Sequence, residues 1–261
     1  MGIILNARGI YKTFISVNHF TGTKHEKQAL KDFAISLPEG GIVALVGESG
    51  SGKTTAARII SGLEKQDKGE VIYRGKPADY TDKDVRREIQ YVFQDVYNSL
   101  NPRLTIRQAL SEPAEKHFGM KESTLENYVL ELIKKTGLPP EISAKYPHEL
   151  SGGQRQRAVI ARALSLKPKV IIADEPVSSL DVSVQAQILK LLQELNEKEK
   201  VSIIFITHDL RVVRNLADSV IVMKDGMICE QGDVNGIFFS PKTDYLKELI
   251  GSLPENSKIN P

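Results

Sequence analysis

GESGSGKTT, residues 47–55, decides how the rest of the chain is read. It matches G-x-x-x-x-G-K-[ST] and stands between an apolar run, Ile42 to Val46, and a helical pattern, TTAARIISGL at 54–63. That strand–loop–helix setting is what the pattern requires. Successive backbone N–H groups in a glycine-rich loop form an anion nest, and the following helix adds its positive end. Gly47, Glu48, Ser49, Gly50, Ser51, Gly52, Lys53, Thr54 and Thr55 are therefore read as a phosphate cradle. Lys53 is placed to hold the outer phosphates and the Thr54 hydroxyl to ligate Mg²⁺. A plain Gly/Ser turn is the competing reading, and the Lys-Thr pair in this context argues against it. Taken alone, the motif indicates nucleotide phosphate and no particular reaction.

Outward from the loop, short β-branched runs alternate with longer helical patterns, which predicts an α/β fold with a mostly parallel sheet. Four runs end abruptly on polar residues or glycine. Ile42 to Val46 meets Gly47, and Tyr91 to Phe93 meets Gln94. Val170 to Ala173 meets Asp174 and Glu175, and Val201 to Ile206 meets Thr207 and His208. Open α/β sheets bind ligands at the carboxyl ends of their strands, so one site assembled from distant segments is expected. Between Gln94 and the glycine pair at 152–153 the pattern turns helical, with Leu125, Val129, Leu132 and Ile133 as an apolar face. This predicts a helical subdomain over about 95–160 inserted in the core of a single domain spanning 1–254. The first 90 residues, apart from the loop and its helix, read as short strands of a small antiparallel layer. Residues 255–261, ENSKINP, read as a polar tail.

KVIIADEPVSSLD, residues 169–181, supplies a buried-type strand ending in two carboxylates. Asp174 can hold Mg²⁺, usually through water, and Glu175 can polarise an attacking water, which hydrolysis requires. A capping or turn role is the bland alternative, and the phosphate loop displaces it. Asp181 precedes an amphipathic helix carrying Ile188, Leu191, Leu192 and Leu195 and reads as its N-cap. His208 lies at the same sheet edge as the phosphates, which favours a γ-phosphate contact over a structural role. Gln94, a strand-end amide, can touch Mg²⁺ or orient water. His148 reads as structural, and His19, His25 and His117 are assigned nothing.

ELSGGQRQRAVIARAL, residues 149–164, begins a helix oddly. Ser151 and Gln154 suit a capping box, yet Gly152 and Gly153 fill the first turn, where each costs about 1 kcal/mol relative to alanine. Together with the preceding motifs, LSGGQRQR at 150–157 resembles the signature of the ATP-binding subunits of ABC transporters. GESGSGKT, Gln94, IIADEP, SSLD and His208 fall in that family's order over nearly the whole chain. The resemblance implies a P-loop NTPase fold and an ATPase using ATP and Mg²⁺. It implies that Ser151, Gly152, Gly153 and Gln154 approach the γ-phosphate of ATP held by a partner's loop. It further implies that Phe14, in GIYKTF, stacks on adenine, with Tyr11 as the competitor. The Ser179-to-Asp181 stretch resembles the loop that contacts the opposite subunit.

A finer resemblance is to the ATPases of dipeptide, oligopeptide and nickel importers, carried by VFQDVYNSLNPRLTI (92–106), YPHELSGGQRQR (146–157) and TDYLKELIGSLP (243–254). It implies a second ABC ATPase, identical or sibling, and two transmembrane permease subunits. An extracytoplasmic substrate-binding protein would act indirectly, and the chain would work on the cytoplasmic face of the membrane.

Composition agrees. The 261 residues are 41% hydrophobic, enough for a substantial core. Thirty-five basic and 33 acidic residues leave a formal charge of +2, which carries no electrostatic argument for nucleic acid. A single cysteine, Cys229, excludes an internal disulfide. The N-terminus lacks a secretory layout, and the apolar runs are strand-sized, so a soluble chain is expected. The rival reading is a nucleic-acid- or ribosome-associated ATPase of the same type. Such proteins carry long coiled coils or two fused cassettes, and neither pattern is present.

Overall fold

The computed structural model describes residues 2–17, 22–178 and 180–252, so His19, Ser179 and the 255–261 segment lie outside the described residues. The chain divides into two compact units, one from residues 1–80 and 202–261, the other from 81–201.

The first unit opens with β1 (Ile3–Val17) and β2 (Lys24–Pro38). They pair antiparallel, and β4 (Lys68–Tyr73) pairs antiparallel with the other side of β1, followed by β5 (Lys76–Pro77). Leu5, Ala7 and Ile10 of β1 and Leu30, Phe33, Ile35 and Leu37 of β2 are buried. These strands form the expected antiparallel layer, but β1 and β2 are 15 residues each rather than short. The register of β1 shifts between Ala7 and Ile10, and again between Ile10 and Thr13. Each bulge breaks the alternation by which a strand is recognised, so one bent strand reads as fragments.

Between them in sequence, β3 (Ile42–Val46) is buried at every position and leads to α1 (Lys53–Ile60). Continuous apolar strands of this kind are covered on both faces.

The second unit starts with α2 (Lys83–Glu88), capped by Asp82, and β6 (Ile89–Val92). Then come α3 (Ile106–Phe118), with a Thr105–Gln108 capping box, and α4 (Glu122–Lys135). The apolar face of α4 is the expected one: Leu125, Val129, Leu132 and Ile133 are buried. α5 (Gly152–Leu164) leads to β7 (Val170–Asp174), which pairs parallel with β6, Val92 opposite Ala173. α6 (Val182–Glu199) closes the unit with Ile188, Leu191, Leu192 and Leu195 inward.

The chain returns to the first unit with β8 (Ser202–Thr207), α7 (Leu210–Val213) and the hairpin of β9 (Ser219–Lys224) and β10 (Met227–Asp233). β3 lies between β8 and β9, parallel to both, so the order in this unit is β10-β9-β3-β8. α8 (Val234–Phe239) and α9 (Asp244–Gly251) follow. Among the described residues no helix is long and apolar enough to cross a membrane.

Candidate active site

In the first unit, the loop after β3 enters α1 through Gly52, whose φ is 107°. A Cβ there would lie 2.5 Å from the Ala29 carbonyl oxygen of β2, so both conformation and space restrict the position to glycine. No side chain caps α1, and a helix N-terminus of this kind presents its first N–H groups and its dipole to an anion. Lys53 is 5% exposed and turned back over the loop. Its Nζ donates to Gly47 O at 2.8 Å, Glu48 O at 2.7 Å and Ser51 Oγ at 3.4 Å. The loop thus concentrates one cation inside its own curve, with Thr54 and Thr55 in the first turn of α1.

Val46 of β3 stands opposite Thr207 of the parallel β8, so Gly47 and His208 leave neighbouring strands at the same edge. His208 is exposed there. The next residue, Asp209, caps α7 through the Arg211 N–H and pairs with the Arg211 guanidinium. Burial pushes the Asp209 carboxyl up, but the bonds from Arg211 outweigh it and hold the group below its ordinary value.

Phe14 is 41% exposed on β1, with the Lys12 ammonium 5.2 Å from its ring centre. Its cross-strand partner is Lys27, and a Cβ on Gly50 would lie 3.9 Å from Lys27 Nζ. Phe14 is therefore on the stretch of β1 and β2 that runs beside the phosphate loop. Tyr11 is half-buried and sits under Lys68.

In the second unit, the parallel pairing of β6 and β7 brings Gln94 and the carboxylate pair to one edge. Gln94 Nε2 donates to Glu175 Oε2 at 3.0 Å. Glu175 has φ 45°, a left-handed conformation that costs a non-glycine residue about 1–3 kcal/mol. The turn at Pro176 holds it, with Ser178 donating through N–H and Oγ to Glu175 O. Asp174 is 3% exposed, and Tyr91 donates its hydroxyl to Asp174 Oδ2 at 2.6 Å, a short charge-assisted bond. Sequence reasoning missed Tyr91, because nothing local distinguishes this tyrosine from the apolar strand around it.

Ser151 caps α5 as expected: Gln154 N–H donates to Ser151 Oγ at 3.3 Å, and Ser151 N–H to Gln154 Oε1 at 3.1 Å. The two glycines differ. A Cβ on Gly153 would sit 2.4 Å from Val184 Cγ1 of α6, while one on Gly152 would meet only Leu180 Cδ2 at an ordinary 3.4 Å. Among the described residues, packing inside the chain therefore accounts for Gly153 and gives no such reason for Gly152. Asp181 caps α6 through the Val184 N–H and accepts from Ser183 Oγ at 2.6 Å. These bonds hold its carboxyl below the ordinary range. Arg155, in the same motif but unremarked in sequence, is buried. It donates to Pro147 O and Leu150 O, with its guanidinium 3.9 Å over the Tyr97 ring.

The donor set suits Mg²⁺. That ion takes one or two protein oxygens and completes its shell with phosphate and water. Thr54 carries such an oxygen in the first unit, and Asp174 and Gln94 carry such oxygens in the second. Among the described residues no group of three or more His, Cys, Asp or Glu could enclose a metal by itself.

A protein-family model described as ABC transporter matches residues 30–178, and one described as an AAA domain matches 144–214. The oligopeptide transport ATP-binding protein AppF of Bacillus subtilis (strain 168) is 41% identical over 98% of this chain and 79% of its own length. The dipeptide transport ATP-binding protein DppF of Haemophilus influenzae is 41% identical over 97% of this chain and 79% of its own. Among solved structures, a dimeric post-hydrolysis state of the ATP-binding cassette MJ0796 bound to ADP and Pi aligns with a TM-score of 0.78. It is 31% identical, covering 88% of this chain and 98% of that one. The structure of cbiO1 from Clostridium perfringens, part of the ABC transporter complex cbiONQ, aligns with a TM-score of 0.79, 31% identity and 98% coverage of both chains.

Proposed function

Since the chain belongs to the ABC transporter ATP-binding family, whose members are ATPases with the P-loop fold, we propose that it powers a membrane importer of dipeptides or oligopeptides. The observation that carries the cargo class is the 41% identity to AppF over 98% of the chain. Nickel, the other cargo that the sequence resemblance allows, has no counterpart among the relatives described above. A nucleic-acid role has none either, and the near-balanced charge gives it no support.

In this reading the loop at 47–55 grips the phosphates, Lys53 neutralises the outermost of them, and Phe14 stacks on the base. Mg²⁺ supplies charge neutralisation to the phosphate oxygens. Thr54 and Asp174, the latter bonded by Tyr91, would hold that ion. Glu175 takes the proton of the attacking water, with Gln94 orienting its carboxylate and His208 facing the γ-phosphate. Gln94 also begins the helical subdomain at about 95–160, which would move as the nucleotide site closes. Ser151, Gly152, Gly153 and Gln154 would face the triphosphate of a second ATPase subunit, and the loop ending at Asp181 would touch that subunit. Two permease subunits provide the substrate path, fed by an extracytoplasmic binding protein, with this chain on the cytoplasmic face of the membrane.

The glycine pair separates intramolecular from intersubunit roles. Gly153→Ala should overpack against Val184 and lower stability by about 1–3 kcal/mol. Gly152→Ala should leave the melting temperature equal or higher, since alanine is the better helix former, and yet reduce ATPase activity at least tenfold. Thermal melts and ATPase assays on both variants check this, and full activity in Gly152→Ala would contradict the partner-facing role.

The transport reading is tested by capture of the tagged chain from detergent-solubilised membranes of its native cell. A permease pair and an ATPase are expected to co-purify, with peptide-stimulated hydrolysis after reconstitution. Recovery with ribosomes or nucleic acid in a salt-sensitive manner would overturn it.

A further inference from the structure

Tyr245 is 197 residues from Glu48 in the chain, yet its hydroxyl oxygen accepts the Glu48 N–H at 3.3 Å. α9 is anchored by packing and by hydrogen bonds at its start. Leu246 is fully buried in a cluster with Ala44 and Val46 of β3 and Leu210 and Val213 of α7, and Tyr245 packs against the same cluster. The start of the helix is tied to β10. The Glu230 carboxylate accepts from the Lys242 N–H at 3.0 Å, the Thr243 N–H at 2.9 Å and the Thr243 hydroxyl at 2.9 Å. The Lys224 ammonium lies 4.6 Å from the Tyr245 ring centre and closes the other side.

From within the loop, the same turn is held by its carbonyls. Lys53 donates to Gly47 O and Glu48 O, and the Ser51 N–H donates to Glu48 O at 3.2 Å. The first turn of the phosphate loop is thus gripped from both sides, by its own lysine and by a helix near the far end of the chain.

We propose that Tyr245 is a positioning residue for nucleotide binding, holding the Glu48 peptide so that the later loop N–H groups are preorganised for phosphate. α9 then belongs to the nucleotide site, although it lies beyond residues 30–178 that match the family model. Preorganised donors spare the ligand the cost of ordering them, which is why one remote hydrogen bond can alter affinity. Burial raises the Tyr245 phenol above its ordinary pKa, so it remains a neutral hydroxyl throughout the physiological range. The inference rests on the reading that the 47–55 loop takes ATP.

Tyr245→Phe keeps the ring and removes the acceptor. The expected result is a three- to tenfold rise in the Kd for Mg-ATP, the size of one modest hydrogen bond, with KM rising more than kcat falls and the melting temperature little changed. Glu230→Gln, which weakens the tie at the helix start without touching the tyrosine, should shift Kd in the same direction by a smaller factor. Wild-type Kd in both variants overturns the proposal, as does a lowered melting temperature with Kd unchanged. Failure of the wild-type chain itself to bind Mg-ATP would instead overturn the nucleotide reading beneath it.

Discussion

Glu175→Gln should leave Mg-ATP binding intact, lower turnover by about a hundredfold or more, and give a long-lived dimer in the presence of Mg-ATP. The first two effects follow from what the substitution removes. Glutamine is nearly isosteric and can still accept the Gln94 Nε2 hydrogen bond now made at 3.0 Å, so the local geometry survives. It cannot take a proton, and general-base catalysis is worth about 10²–10⁴ in rate. The backbone at φ 45° tolerates Gln no worse than Glu, so folding should be unaffected. The dimer is expected on the proposed reading, in which an unhydrolysed ATP would continue to bridge two subunits. Single-turnover hydrolysis and size-exclusion with Mg-ATP measure the two outcomes. Turnover near wild type would show that another group is the base. A protein that stays monomeric with Mg-ATP, even beside its cognate ATPase and permease, would remove the shared-nucleotide mechanism.

The second large effect is at the phosphate loop. Lys53→Ala should raise the Kd for Mg-ATP by about a hundredfold or more. The lysine is 5% exposed and makes its bonds inside the loop. Removing it deletes the cation held inside the loop, and a charge-assisted bond to phosphate is worth about 1.5–3 kcal/mol. The loop also loses the donor that ties Gly47 O and Glu48 O together, so its N–H groups would no longer converge on one point. Equilibrium binding of a fluorescent ATP analogue reads this directly. Retained affinity would mean that the backbone nest alone suffices. The contrast with Glu175→Gln is diagnostic: one variant binds without turnover, the other fails to bind.

The parts of the protein that could be read in advance are those governed by neighbours in the chain. The strand–loop–helix at 42–60 and the capping box between Ser151 and Gln154 are set by spacing of a few residues. The buried faces of α4 and α6 follow from helical periodicity and appear where it placed them. The strand ends at Val46, Thr207, Val92 and Asp174 are marked by the change from β-branched to polar residues. β1 and β2 resisted the same reading because bulges interrupt their alternation.

The family, the glycine-rich loop, the carboxylate pair and the capped signature helix were legible in the order of residues, since each is specified by residue type at short range. Folding alone brings Tyr91 to Asp174, 83 residues away, and Tyr245 to Glu48, 197 residues away. It also separated Gly153, which must clear Val184, from Gly152, which need not. The physical reason is common to all three. A side chain's own type states what it can donate or accept, but strand order and helix packing determine which distant group stands within its reach.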